Sequence, residues 1–222
     1  MDFSRIISGV LVAAALFYVG FAINGFHQNQ RFVEVRGVAE KIVKSDKSVW
    51  KLSYSVRSPE FAQVNHKLSE QWPLVKKFLL AKGFQEKDIH KTAPSISDQE
   101  KKGEMRYSGK QTVIVETTDV DRVAQATEDI EPLLSAGILA DENSVSFYFT
   151  NLDAIKPGML KEAAGSARKA AEGFAHDANA TVGNIKQASQ GLFEITAPFN
   201  EYGESTIMKK VRVVTQMEFY LK

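Results

Sequence analysis

Four histidines and a scatter of paired acids are the residues of this 222-residue chain best equipped for chemistry. His66 and Glu70 stand four apart, a spacing that puts both on one helix face and could bind a metal. The H-E-x-x-H pattern is missing, so a surface helix pair is the reading. Asp88 and His90 would meet only on one strand face, and polar residues of an edge strand account for them better. His176 and Asp177 fall near a helix C-terminus, where a cationic ring suits the dipole, and His27 falls in a short stalk. The acids group as Asp98 with Glu100, Asp119 with Asp121 and Glu128 with Asp129, each in a turn, a cap or an exposed helix. Nothing in the sequence draws two of them into one cleft, as acid–base catalysis would require.

Several chemistries are absent outright. No G-x-S-x-G marks a nucleophile elbow, and neither phosphate-binding glycine pattern occurs. With no cysteine there are no disulfides, thiol nucleophiles, iron–sulfur clusters or Cys-ligated zinc. No residue is assigned a catalytic, cofactor-binding or metal-binding role, and no cofactor is expected. The formal net charge is +1 and no long basic run appears, which disfavours a nucleic-acid partner. Lys-Lys pairs at 76–77, 101–102 and 209–210 are read as solvated faces.

The elements that would position these residues follow from periodicity. Residues 31–38 alternate as a half-buried strand, and Gly37 predicts a bulge or a close backbone approach. From Ser48, Trp50, Leu52, Tyr54 and Val56 form one face, with Lys51, Ser53, Ser55 and Arg57 on a solvent-open face. Ser58 is the expected N-cap of a helix running to Gly83, kinked near Trp72 by Pro73. A strand over 88–97, a polar turn over 97–103 and a strong strand over 106–117 come next. Asp119 caps a helix ending near Gly137, with Val120, Val123, Ala124, Thr127 and Ile130 inward, followed by a strand at 145–150. A long helix over 154–178 carries alanines at 163, 164, 167, 170, 171, 175 and 178, so it should lie tightly on a sheet or a partner helix. Strands at 184–195 and 208–221 close the chain. The order β-β-α-β-β-α-β-α-β-β predicts an α+β class, with antiparallel sheets and amphipathic helices on one face.

Ahead of this domain, after residues 1–5, an uncharged apolar run extends from Ile6 to Phe26, and residues 27–30 form a polar stalk. About 20 helical residues cross a hydrocarbon core of roughly 30 Å. The run exceeds a typical signal-peptide core and lacks a clear A-x-A cleavage site, so it is read as a transmembrane anchor rather than a cleaved signal. Arg5 before it and Arg31 and Arg36 after it nearly balance, so charge does not set the orientation.

Three stretches carry a resemblance. Val35, Gly37, Ala39 and Glu40 lie in the first strand, and Asp46 to Trp50 start the second. Ala163, Ala167, Arg168, Ala171 and Glu172 mark the long helix, with Gly183 at the turn after it. In order and spacing these resemble the bacterial SIMPL-domain family from about Arg31 to Leu221. The apolar run ending in Asn24–Phe26 resembles a membrane-anchored branch of it. The resemblance implies an α+β fold, an envelope location in Gram-negative bacteria and a loose link to stress tolerance, including oxidative stress. Some members assemble into large rings. It implies no enzymatic activity and transfers no functional residue.

The expectation is therefore a non-enzymatic, inner-membrane-anchored, periplasm-facing protein that acts by homo-oligomeric assembly or by binding. The exposed sheet face and the small-residue helix are the expected contacts. A hydrolase or ligand-binding enzyme with a scattered site is one alternative. A peptidoglycan- or lipid-surface module using Trp50, Trp72 and the tyrosines is another, although core packing suits both tryptophans better.

Overall fold

The computed structural model describes residues 31–101, 104–199 and 203–222. Among them the chain is α+β. Its elements are β1 (Phe32–Lys44), β2 (Lys47–Ser58), α1 (Phe61–Ala81), β3 (Ile89–Lys91), β4 (Ser95–Lys101) and β5 (Glu104–Thr117). After these come α2 (Val120–Glu128), α3 (Glu131–Ser135), β6 (Leu139–Tyr148), α4 (Leu152–Asp177), β7 (Val182–Thr196) and β8 (Met208–Leu221). Short 3-10 turns at Glu86–Asp88 and Gly203–Ser205 precede β3 and β8.

One sheet has the order β3-β5-β2-β6, with β4 also paired to β5, and all of its pairings are antiparallel. The other has the order β1-β8-β7. The Leu221 amide donates to the Arg31 carbonyl and the Ser45 amide to the Ile207 carbonyl, so β1 and β8 are antiparallel. The described residues divide into two compact units, each discontinuous in sequence. One holds the chain up to Ala39, Leu160–Leu192 and Val213–Lys222; the other holds Glu40–Met159 and Phe193–Arg212.

The larger unit is organised by β2, the strand between β5 and β6. Trp50, Leu52, Tyr54 and Val56 all point into its core, against Val113 and Val115 of β5 and Val64, Leu68, Val75 and Leu79 of α1. Trp50 meets Phe78 edge-on at 6.4 Å, and its indole N–H donates to Asn143 Oδ1 at 2.7 Å, which satisfies the buried donor. The opposite face of β2 differs from expectation. Lys51 and Arg57 are exposed, but Ser53 and Ser55 are buried. Each is a short side chain in the central strand, with the longer chains of both neighbouring strands around it. Ser53 lies 2.9 Å from the Thr112 hydroxyl and donates to Glu142 at 3.3 Å.

Proline and polar pairing account for the other boundary corrections. The helix expected to run from Asp119 to Gly137 is two helices, α2 and α3. Pro132 has no N–H to continue the ladder, and its ring clashes with the carbonyl four residues back. Asp119 does cap α2, accepting from the Arg122 amide at 3.1 Å, while Ala126 rather than Ala124 is buried. The single strand expected over 88–97 is β3 and β4, end to end along β5. In the gap before Pro94 the buried Gln111 amide donates to the Thr92 carbonyl at 2.6 Å, standing in for a strand neighbour. The polar turn expected over 97–103 is mostly strand, with Ser97 opposite Ser108 through Lys101 opposite Glu104. Ser58 does not cap α1, whose N-cap is Glu60; its hydroxyl instead donates to Gln63 and accepts from the Glu60 amide. Pro73 sits inside a continuous α1, and Gly83, at φ +86°, ends the turn beyond it. β1 and β6 are longer than their alternation indicates.

Tyr54 is wholly buried, its hydroxyl has no hydrogen-bond partner among the described residues, and burial pushes its pKa up to about 12. A buried hydroxyl without a partner keeps its desolvation cost, about 1–3 kcal/mol. Tyr54→Phe is therefore expected to leave stability unchanged or raise it by up to about 1 kcal/mol. Urea unfolding monitored by circular dichroism checks this, and a loss above that size would reveal a missed partner.

In the smaller unit, Ala163, Ala167, Ala171 and Ala175 form a fully packed stripe along α4. Ala167 and Ala171 pack on Val35, Met217 and Phe219. Of the two arrangements expected for this helix, the sheet-packed one is present. That packing takes up Ala163, Ala167, Ala171 and Ala175, while Ala164 and Ala170 are half-buried and Ala178 is exposed. The close approach expected at Gly37 is also present: a side chain there would strike the main chain of α4 at Ala163 and Ala167.

Among the described residues no helix is long and apolar enough to cross a membrane. The Ile6–Phe26 run and its stalk lie outside the described residues.

Candidate functional site

The residues with chemical potential separate into surface pairs and one shared cleft. His66 Nδ1 lies 3.3 Å from Glu70, with both side chains largely exposed on α1, a surface pair. His176 lies 3.4 Å from Asp177 at the exposed end of α4. Of the acids, Asp121 pairs with Lys44 at 2.5 Å and Asp129 pairs with Lys82. Among the described residues no group of three His, Asp or Glu is placed to hold a metal ion.

His90 and Asp88 do converge. They line a polar cleft of about 570 Å³ together with Lys47, Glu116, Asp119 and Arg122. β3 and β5 bring them there: His90 is opposite Ile114, on the sheet face away from Val115 and the core. Glu116 is held by Lys47 at 3.0 Å and Asp119 by Arg122 at 2.9 Å. Arg122 also donates to the Gly83 carbonyl at 2.5 Å, tying α2 to the end of α1. The Glu116 and Asp119 carboxylates are thus engaged as counter-ions within the cleft.

The sequence reading misplaces one cation. Lys209 was expected on a solvated face, but it is only 4% exposed, while Lys210 is half-buried. Alternation along β8 turns Lys209 the same way as Val211, Val213 and Thr215, all buried. The doubled lysine hid this period-two signal.

The most open element is β7. Among the described residues it has one hydrogen-bonded neighbour, β8. Every residue from Asn184 through Leu192 is exposed, so neither face of that stretch is covered. Ile185 is 50% exposed and Leu192 89%. Lys186 pairs with Glu218 at 2.8 Å and stands over the Phe32 ring at 3.5 Å, which places both on the sheet face opposite α4. A long strand with one bare edge and apolar side chains is a template for another strand unless something blunts it.

A five-stranded antiparallel sheet, a three-stranded sheet and an alanine-striped helix place the chain among α+β domains built on antiparallel sheets. The chain belongs to the SIMPL family, described as a protein of unknown function (DUF541), which it matches over residues 33–218. No curated protein matches it.

Proposed function

We propose that this is an inner-membrane-anchored, single-pass envelope protein whose α+β domain faces the periplasm and acts by assembling with further copies of itself, in envelope or oxidative stress tolerance. The observation that carries assembly is β7, fifteen residues long, paired on one side among the described residues and exposed on both faces from Asn184 to Leu192. Soluble proteins normally shorten, charge or cover such an edge, and strand addition from a second chain would satisfy its main-chain groups. The Ile6–Phe26 run supports the anchor, and family membership supports the envelope setting.

A catalytic reading gains little from the His90 cleft, because Glu116 and Asp119 there are already paired with cations. Surface binding through aromatic residues loses one of its anchors, since Trp50 is wholly buried.

Light scattering on the full-length chain in detergent tests assembly. A defined multimer is expected, and Leu192→Glu should reduce its mass to that of smaller species. Leu192 is almost fully exposed, so the monomer itself should change by no more than about 0.5 kcal/mol. A wild-type mass of one chain at high micromolar concentration would refute the proposal. An alkaline phosphatase fusion after Lys222 tests the topology independently.

A further inference from the structure

Lys209 is nine-tenths buried, yet it lines a cavity of about 380 Å³ whose other walls include Phe147, Phe149, Ile195 and Ala197. That volume falls in the range of roughly 300–1,000 Å³ typical of small-molecule sites, which pair apolar walls with a few placed polar groups. The ammonium donates to the main-chain carbonyls of Glu204, at 3.1 Å, and Gly203, at 3.5 Å. Both belong to the 3-10 turn before β8. Carbonyls offer partial charge only, and a buried cation is costly without a full counter-charge. Among the described residues the other ionisable groups beside it include Glu204 and Tyr148. The Glu204 carboxylate is turned to Tyr148, accepting its hydroxyl at 3.3 Å on the exposed side.

We propose that this cavity binds a small amphipathic carboxylate, its charged end on the Lys209 ammonium and its apolar body against Phe147, Phe149, Ile195 and Ala197. The ligand supplies the counter-charge the carbonyls do not, and the aromatic walls take its apolar body. Burial holds the Lys209 pKa below the ordinary lysine range, only partly offset by the Glu204 charge. Only the protonated amine attracts the ligand, so affinity should fall as pH rises through that lowered value, earlier than for an exposed lysine.

Calorimetric titration of hexanoate into the full-length chain in nonionic detergent, with micelle blanks, tests this. Hexanoate is expected to bind at least tenfold more tightly than hexanol, which has the same body without the charge. Lys209→Met should weaken hexanoate at least tenfold, and Ala197→Phe should abolish binding by filling the cavity while leaving the lysine in place. Should Lys209→Met fail to fold, the hexanol comparison, Ala197→Phe and the wild-type pH series still decide the matter. Equal affinity for hexanoate and hexanol, no hexanoate binding at all, or unchanged binding in Ala197→Phe would overturn the proposal and leave Lys209 as a clip for its turn.

Discussion

Gly37→Ala is expected to destabilise the protein by about 3 kcal/mol or more, or to prevent its folding. A Cβ at Gly37 would sit 2.5 Å from the Ala167 amide nitrogen and 2.8 Å from its Cβ, and closer still to the Ala163 carbonyl oxygen. Two of these three atoms belong to the α4 main chain, so no rotamer change relieves the contact. The helix would have to move off the sheet and open the packing of Ala167 and Ala171 on Val35 and Phe219. By contrast Gly165, with nothing within 4 Å of its would-be Cβ, should accept alanine at a gain of about 0.5–1 kcal/mol from helix propensity. Paired thermal melts of the two variants separate steric exclusion from a general intolerance of substitution. A Gly37→Ala protein within about 1 kcal/mol of wild type would mean the helix sits farther out than the structure has it.

Asp46→Ala is expected to cost about 2 kcal/mol near neutral pH. One carboxylate oxygen accepts from the Thr150 amide at 2.8 Å and the Thr150 hydroxyl at 2.9 Å, and the other accepts from the Asn151 amide at 2.9 Å. Leu152 begins α4, so a carboxylate more than 100 residues away in sequence supplies the charge and acceptors wanted at that helix start. Burial works to raise the Asp46 pKa, but the bonds from Thr150 and Asn151 outweigh it and hold the carboxyl below the usual range. A carboxyl whose folded pKa is depressed stabilises the fold above its unfolded pKa, near 4, and that contribution is lost as pH falls through the folded value. The gap between wild type and Asp46→Ala should therefore be full at pH 7 and shrink steadily below about pH 4. Urea unfolding at pH 7 and at pH 3 measures both ends. An equal gap at the two pH values would remove the carboxylate from the explanation.

Much of the architecture is legible in the chain where one rule acts alone. The alternation of Trp50, Leu52, Tyr54 and Val56 places the core face of β2, and the alanine spacing places the packed face of α4. What escapes is set by partners distant in sequence. Ser53 and Ser55 read as wet residues, but burial in a central strand depends on two neighbouring strands that local periodicity does not reveal. Asp46 caps a helix about a hundred residues away, and Gln111 bridges a strand break through Thr92, both invisible to local spacing. The openness of β7 is hidden for a related reason. Its residues fit a strand, and nothing in their order says that β8 would be its one hydrogen-bonded neighbour among the described residues. Of the polar cleft, the sequence exposes the residues but not their convergence. Of the Lys209 cavity, it exposes neither.

The order β1-β8-β7 sets a condition on biogenesis. β8 is the last strand to be made, and it is the hydrogen-bonded neighbour of both β1, the first, and β7. During synthesis the five-stranded sheet has all its strands once Tyr148 has emerged, whereas β1 waits, its partner unmade, until β8 has emerged. Until then a nascent chain carries β1 as an unpaired strand. This is the interval in which an aggregation-prone edge most needs a chaperone to shield it.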